Sequence, residues 1–229
     1  MRPATIHWLK QTSRDPPLGE EWLTAGERVT LARLRVAKRR SDWLLGRWTA
    51  KRALAAYLGC LSRLDRLEVR ATESGAPEVF LDGWPAPLTL SLSHAAGRGL
   101  CAVTAADVAL GCDLERIESR DRAFVADYFT DNERRAIAAA PASDRACIVT
   151  LLWSAKESAL KALREGLRLD TRSVAATVSA ESAFNGWYPL SVHHGDSKRI
   201  FRGWWRRDGG CVLTIVADPP PRPPISLNP

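Results

Sequence analysis

A strand pattern followed by a long helix pattern most constrains how this 229-residue chain can fold. Every second residue from Val108 to Leu114 is apolar, which is the period of a β-strand with one buried face. Asp113 and Glu115 then share the opposite face, about 7 Å apart along the strand. From about 144 to 164 the apolar residues recur at helical spacing. The two patterns together predict a domain in which strands and a long helix pack in layers.

Charged side chains on these two segments predict a site for a divalent cation. Glu157 and Lys161 are i,i+4 neighbours and share one face of the helix. Where that face meets the strand, Asp113, Glu115 and Glu157 offer three carboxylates, and Mg²⁺ prefers such oxygen ligands together with water and a substrate phosphate. Two alternatives stay open at this point: the strand acids are a solvated face, and Glu157 with Lys161 is an ordinary ion pair.

These residues fall in two motifs that together resemble a known family. The first is Gly-x-Asp-x-Glu at 111–115, and the second is Trp-Ser-x-Lys-Glu-Ser-x-x-Lys at 153–161. Their order and spacing resemble the 4′-phosphopantetheinyl transferases, in particular the long, single-chain, surfactin-type branch. Leu44–Arg47, Gly75–Pro77 and Ser91–His94 are similar to the N-terminal elements of that branch and follow in the expected order. The resemblance covers about residues 28 to 167.

The resemblance implies a reaction and a metal. The phosphopantetheine arm of coenzyme A would move to a serine of an apo acyl, peptidyl or aryl carrier domain, releasing adenosine 3′,5′-bisphosphate. Mg²⁺, or Mn²⁺ in its place, would be held by Asp113, Glu115 and Glu157, and Lys156 and Lys161 would contact the phosphates. The resemblance also marks Glu157 as a possible base for the serine. Because one carboxylate can hardly be both a tight ligand and a free base, we place the ligand role first and leave the base open.

The resemblance places the coenzyme A contacts in the first half of the chain. Ser93 and His94 would hold the 3′-phosphate, with a protonated imidazole donating to it, although a lone histidine after a strand is often structural. Arg47 carries the same assignment. Arg40 and Lys51, on the same predicted helix, are either further contacts or solvated helix charge.

A turn is expected to approach the adenine of coenzyme A. It consists of Gly75, Ala76 and Pro77, between two predicted strands. The contact would be made by the backbone, because Ala76 stands where many relatives of the family have lysine.

Composition is typical of a globular protein, with 45% hydrophobic and 26% charged residues. The five cysteines are scattered, which argues against a disulfide framework or a zinc site and for a reducing compartment. Residues 1–10 contain no apolar run of signal-peptide length, and no segment approaches a membrane span. We therefore expect a cytoplasmic protein without a membrane partner, and a monomer.

Positive charge is concentrated in one stretch of the chain. The net charge is +7, and residues 28–52 contain nine Lys or Arg against one acid. Such a patch predicts an anionic partner. A basic nucleic-acid-binding protein is therefore the rival hypothesis, but no zinc knuckle or RNP aromatic pair supports specific nucleic-acid binding. An inactive relative that serves as an interaction module is a third possibility.

The predicted fold class is α+β, with two similar subdomains related by pseudo-twofold symmetry. Each would pack a small antiparallel sheet against a long helix, at 39–58 and at about 144–164. The predicted strands are 67–71, 78–81, 88–93, 100–103, 108–114, 173–179, 189–193, 199–205 and 211–217. We expect subdomains 1–104 (coenzyme A recognition) and 105–218 (metal site and catalysis), and a disordered, proline-rich tail at 219–229. No internal sequence repeat is evident.

The segment from Arg116 to Phe129 mixes arginines with aromatic residues beside the predicted metal site. It is suited to receive an acidic carrier domain, with arginines steering and aromatics packing. The alternative is a surface helix whose Phe124, Tyr128 and Phe129 reach the protein's own core.

Overall fold

The computed structural model describes residues 3–60, 63–179 and 183–228 and has the predicted α+β architecture. The first part of the chain forms β1 (His7–Thr12), α1 (Ala25–Arg33), α2 (Ala37–Leu58), β2 (Leu67–Ala71), β3 (Pro77–Leu81), β4 (Trp84–Pro85), β5 (Leu88–Ala95) and β6 (Arg98–Ala105). The second part forms β7 (Ala109–Arg116), α3 (Arg122–Tyr128), α4 (Asp131–Ala139), α5 (Ala142–Ala162), β8 (Val174–Val178), β9 (Tyr188–His194), β10 (Arg199–Asp208) and β11 (Cys211–Asp218). Strand β12 (Ile225–Ser226) follows. Both long helices and all nine predicted strands are present within a few residues of their expected bounds.

The two parts of the chain share one topology. Strand β1 pairs with β6 and β6 with β5, and in the same way β7 pairs with β11 and β11 with β10. Strands β8 and β9 continue the sheet of β10, whereas β2, β3 and β4 form a separate sheet beside β5. Helix α2 packs on the first set of strands and α5 on the second. This is the expected arrangement of two similar halves; the boundary at residue 104 stays a prediction.

The fold relates two short pairs of matching segments that the sequence alone does not make evident as a repeat. Thr24-Ala25-Gly26-Glu27 before and within α1 corresponds to Thr130-Asp131-Asn132-Glu133 at the start of α4, and both form a capping box. Trp48-Thr49-Ala50-Lys51 in α2 corresponds to Trp153-Ser154-Ala155-Lys156 in α5. Two short matches, about 105 residues apart, lie at equivalent places of the two halves.

Strand β7 is buried on both faces, so the expectation of a strand with one solvated face is wrong. Leu110 and Leu114 pack in the core on one side. On the other side α5 lies directly on the strand, because a Cβ at Gly111 would stand 1.8 Å from the Ser158 carbonyl oxygen. Only glycine permits this approach. The acidic face of β7 is thereby covered by the helix, and Asp113 is 1% exposed.

The C-terminal segment is ordered over residues 219–228, which corrects the prediction of a disordered tail. The backbone N–H of Ile225 donates to the Ile6 carbonyl at 2.9 Å, and that of Leu227 donates to the Trp8 carbonyl at 2.8 Å. β12 thus lies parallel to β1 and covers the edge of the first sheet.

Among the described residues, no helix combines the length and hydropathy that a membrane span requires. All five cysteines are free thiols.

Candidate active site

Three carboxylates meet where α5 covers β7. Asp113 and Glu115 are two residues apart on β7, and Glu157 is on the facing surface of α5. One oxygen from each lies within 4.8 Å of those of the other two. The strand period and the helix period together bring these groups to one place, as the sequence pattern predicts.

Asp113 has one occupied oxygen and one free oxygen. Its Oδ1 accepts hydrogen bonds from Lys161 Nζ at 2.7 Å and from Ser93 Oγ at 2.7 Å. Its Oδ2 is buried and has no hydrogen-bond partner among the described residues. A buried carboxylate oxygen without a partner is costly, and a metal ion is one partner that removes the cost. The donor set, all carboxylate oxygens, fits Mg²⁺ or Mn²⁺.

The electrostatics of the cluster also favour a cation. Burial, together with repulsion by Asp113, raises the pKa of Glu115 to about 7 and the pKa of Glu157 to about 7. Burial alone would lower the pKa of Lys161, but the attraction of Asp113 and Glu157 outweighs it and the pKa is raised. Lys161 therefore stays charged, yet one ammonium does not balance three carboxylates. A divalent cation would.

A groove between the two halves lies next to this cluster. Strands β5 and β7 lie side by side along it, and the Cys112 N–H donates to Ser91 Oγ at 2.9 Å. Lys161 lines the groove and also contacts Asp113, so it belongs to both places. The groove is further lined by Arg47, Arg70, Ser74, Gly75, Ala76, Pro77, Val108 and Arg164.

Arg47 is an unsatisfied cation in the wall of the groove. Its Nε is buried and has no hydrogen-bond partner among the described residues. Burial lowers the pKa of Arg47, although Glu27 and Glu68 oppose this shift. The guanidinium stacks at 5.1 Å from the Trp43 ring centroid. A half-buried guanidinium with an open donor fits an anionic ligand such as a phosphate.

The predicted turn between β2 and β3 lines the groove, and its approach to an adenine stays a prediction. The Thr72 N–H donates to the Ala76 carbonyl at 2.8 Å, and Gly75 has φ 84°, which favours glycine. Ala76 offers no charge, but Arg70 at the end of β2 lines the same wall. Arg70 pairs with Glu68 at 2.8 Å. Neither Arg70 nor Arg164 was predicted from the sequence; the signal for Arg70 is its place immediately before this turn.

Two lysines assigned to phosphate contacts are buried elsewhere. Lys156 is 0% exposed, and its Nζ donates to Glu133 at 2.7 Å and to the Val174 carbonyl at 2.6 Å. Lys51 is likewise 0% exposed and is paired with Glu27. The assignments of Lys156 and Lys51 are therefore wrong, because neither ammonium reaches the groove.

Arg40 is also engaged away from the groove. Its guanidinium donates to Glu20 Oε1 at 2.7 Å and to the Leu31 carbonyl at 3.0 Å. These contacts hold the start of α2 against the preceding loop and α1. Its contact with coenzyme A stays a prediction.

Ser93 and His94 have different surroundings. The Ser93 hydroxyl donates to Asp113, so it supports the carboxylate cluster. His94 lies within β5 rather than after it, is exposed, and is outside the groove lining described above. Its contact with a 3′-phosphate stays a prediction.

A basic groove beside a carboxylate cluster is typical of proteins that handle phosphate esters with a cation. Comparison with known proteins agrees. Residues 27–105 match the family model of the 4′-phosphopantetheinyl transferase N-terminal domain, and residues 109–205 match that of the 4′-phosphopantetheinyl transferase superfamily. Enterobactin synthase component D of Salmonella typhi is 30% identical over 174 residues, 75% of this chain and 73% of that protein. The Salmonella austin protein of the same name is 28% identical over 191 residues, 81% of this chain and 75% of that protein.

Solved structures also overlap with part of the fold. A holo-(acyl-carrier-protein) synthase from Bacillus anthracis in complex with CoA (3′,5′-ADP) is 20% identical, has a TM-score of 0.37, and covers 44% of this chain and 95% of its own. The Thermotoga maritima holo-[acyl-carrier-protein] synthase is 17% identical, has a TM-score of 0.38, and covers 56% of this chain and 76% of its own. On the two family models and the Salmonella typhi relative, the chain belongs to the 4′-phosphopantetheinyl transferase superfamily. It is a transferase of that type.

Proposed function

We propose that the protein transfers the 4′-phosphopantetheine arm of coenzyme A to a serine of apo acyl or peptidyl carrier domains. The observation that carries this proposal is the position of Lys161: it lines the groove that also contains the unpaired Arg47, and its ammonium contacts Asp113 of the carboxylate cluster. Coenzyme A has phosphate at both the nucleotide end and the pyrophosphate. A site with an anion-binding wall and a metal-binding end matches that distribution of charge.

The reaction forms one bond and breaks one. The serine oxygen forms a bond to the pantetheine-side phosphorus, the bond from that phosphorus to the bridging oxygen breaks, and adenosine 3′,5′-bisphosphate leaves. Asp113, Glu115 and Glu157 would hold Mg²⁺, which offsets negative charge on the pyrophosphate. Lys161 stands between the cluster and the groove, where it would donate to the departing phosphate. The serine proton passes to a general base as the new bond forms. Because Glu157 is assigned first as a metal ligand, that base is left unassigned.

The central experiment incubates the purified protein with coenzyme A, Mg²⁺ and a panel of apo carriers and measures intact masses. Transfer adds the mass of one phosphopantetheine to at least one carrier. Asp113→Asn should abolish transfer, and EDTA should do so reversibly, since both remove the metal. Glu21→Gln, which changes an exposed carboxylate in the loop before α1, is the control and should transfer at the wild-type rate. Full activity in chelator would contradict the metal assignment, and no modified carrier would contradict the function.

Recognition of the 3′-phosphate is tested separately from chemistry. Dephospho-coenzyme A should bind the wild type more weakly than coenzyme A, and Arg47→Ala should narrow that difference. The loss corresponds to a charge-assisted hydrogen bond, about 1.5–3 kcal/mol or about 10- to 150-fold in affinity. His94→Ala tests the second predicted contact in the same way. Equal discrimination in wild type and variants would mean that neither side chain holds this phosphate.

A second groove suits the carrier. It lies between α3, α4 and α5, next to the carboxylate cluster, and is lined by Arg120, Arg122, Arg134 and Arg145 over an apolar floor. Arg120 connects the two places, with its guanidinium 3.8 Å from Glu115 Oε2. The aromatics of this segment do not line the groove: Phe124 and Phe129 pack into the core with Trp153, and Tyr128 is 38% exposed outside the groove. We therefore assign carrier docking to the arginines and the groove floor, not to the aromatic rings.

A further inference from the structure

Each half of the protein contains one buried lysine–glutamate pair. Lys156 pairs with Glu133 in the second half, and Lys51 pairs with Glu27 in the first. In both pairs the lysine side chain is 0% exposed and the glutamate side chain is 3% exposed. All four residues belong to the matching segments of the two halves, so the two pairs are equivalent in the fold.

The second-half pair connects three elements. Glu133 accepts from the Thr130 N–H at 2.8 Å and from the Ala176 N–H on β8 at 2.7 Å. Lys156 on α5 donates to Glu133 and to the Val174 carbonyl on β8. Its ammonium also lies 5.6 Å from the centroid of a buried aromatic ring just before α4. These directional hydrogen bonds thus link the rotation of α5 about its own axis to the positions of α4 and β8.

The first-half pair makes the same connections around α2. Glu27 accepts from the Thr24 N–H at 3.0 Å and from the Val69 N–H on β2 at 3.2 Å. Lys51 donates to the Trp22 carbonyl at 2.7 Å and lies 5.5 Å from the Trp22 ring centroid. One helical turn before Lys51 is the groove cation Arg47.

Stability alone does not account for such pairs. Replacing a buried ion pair by apolar groups of similar size is often neutral or stabilising, because desolvation offsets the attraction. What the pair supplies is a defined orientation of the helix, because its hydrogen bonds are directional. Side-chain tips lie about 5–6 Å from a helix axis, so a rotation of about 10° moves them by about 1 Å. Productive metal sites tolerate about 0.5 Å, and Glu157 immediately follows Lys156.

We propose that Lys156 and Glu133 are positioning residues that fix the rotation of α5 and so aim Glu157 at Asp113. The equivalent Lys51 and Glu27 fix α2, which carries Arg47. This inference rests on the proposed metal site. Neither lysine touches the groove, so both act through their neighbours.

The test compares two matched double variants. The first is Lys156→Met with Glu133→Gln, and the second is Lys51→Met with Glu27→Gln; in both, glutamine keeps an oxygen for the backbone N–H groups. Three quantities are measured on the full chain: the Mn²⁺ dissociation constant, the metal-free affinity ratio of coenzyme A to dephospho-coenzyme A, and the urea midpoint of unfolding. If the lysine changes prevent folding, the single variants Glu133→Gln and Glu27→Gln provide the same comparison.

A crossed result is expected. The second-half variant should bind Mn²⁺ at least 10-fold more weakly, the range seen when groups behind metal ligands are removed, and keep its affinity ratio. The first-half variant should keep its Mn²⁺ affinity and lose at least half of the affinity ratio. Unchanged Mn²⁺ binding in the second-half variant would overturn the inference, as would equal losses of both readouts in both variants, since that is what a merely structural role produces. A wild type that binds no Mn²⁺ would instead refute the proposed metal site itself.

Discussion

Cation binding at the carboxylate cluster should depend strongly on pH. Glu115 and Glu157 each have a pKa of about 7, because they are buried beside Asp113. Both must be ionised to act as ligands, so the cation competes with protons. Mn²⁺ affinity should therefore rise as the pH is increased through 7. Because the two groups interact, their apparent pKa values belong to the pair and not to either residue alone.

The size of the effect follows from these values. Between pH 6 and pH 8 the ionised fraction of a group with pKa about 7 rises from about 0.1 to about 0.9. Mn²⁺ affinity should increase about 10-fold if one group titrates and about 100-fold if both do. The stability of the metal-free protein should instead decrease as the pH rises. Its folded state holds protons that the unfolded state has released, so its free energy of unfolding should fall as the pH increases from about 4.5 to about 7.

Isothermal titration calorimetry in two buffers of different ionisation enthalpy measures both affinity and proton release. At pH 6.5 the wild type should release between one and two protons for each Mn²⁺ bound. Glu115→Gln should release about one proton fewer and bind more weakly. An affinity that is constant from pH 6 to pH 8, with no proton release, would refute the argument that these carboxylates are both perturbed and ligating.

Three further predictions concern the scaffold and the partners. Gly111→Ala should lower the free energy of unfolding by at least about 2 kcal/mol, because its Cβ would stand 1.8 Å from the Ser158 oxygen. The control Gly46→Ala in α2, where nothing lies within 4 Å, should raise the free energy of unfolding by about 0.5–1 kcal/mol. Urea denaturation compares the two variants. Reversing Arg120 and Arg122 to Glu should raise the KM for the apo carrier and leave the KM for coenzyme A nearly unchanged, and an equal change in both would place the docking surface elsewhere. DNA should bind weakly and lose affinity steeply with salt, as non-specific contacts do; tight, sequence-selective binding at physiological salt would favour the rival hypothesis of a nucleic-acid-binding protein.

Local patterns in the sequence predict the elements that carry strong periodicity. The strand at β7 and the helix at α5 are evident from spacing, and so is the meeting of Asp113, Glu115 and Glu157. Strand β1 and helices α1 and α4 were missed, because six- and nine-residue segments carry too few apolar repeats to indicate a type. The capping boxes at Thr24 and Thr130 were the available signal for both helices.

Partners distant in sequence are what the sequence conceals. The sequence predicts that Lys156 is an exposed lysine of the motif, but in the fold it is paired with Glu133, 23 residues earlier. Arg47 and Lys51 lie one helical turn apart with the same charge, yet one faces the groove and the other is buried. The packing of α1 and β2 against α2 decides which of these two side chains is buried and which faces the groove. The tail was misjudged for a similar reason, because its prolines lie beside a free strand edge that local composition does not indicate.

Because the two halves share one topology, the carboxylate cluster of the second half can be compared with the equivalent positions of the first half. The β5–β6 and β10–β11 hairpins both turn through two residues, so the strand registers correspond. Leu9 then occupies the place of Asp113, and Gln11 the place of Glu115. On the helices, Arg52 occupies the place of Glu157. The first half therefore has a hydrophobe, an amide and a cation where the second half has three acids.

This substitution makes the two copies electrostatic opposites. Gln11 accepts a hydrogen bond from Trp48 Nε1 at 3.3 Å, and Arg52 lies 5.7 Å from the Trp48 ring centroid, so side chains of the first half fill its own version of the cluster. Only the second copy offers carboxylates, so a cation can bind at one of the two equivalent positions and not at the other. The chain thus places unlike charges on like backbones and restricts a cation site to one half.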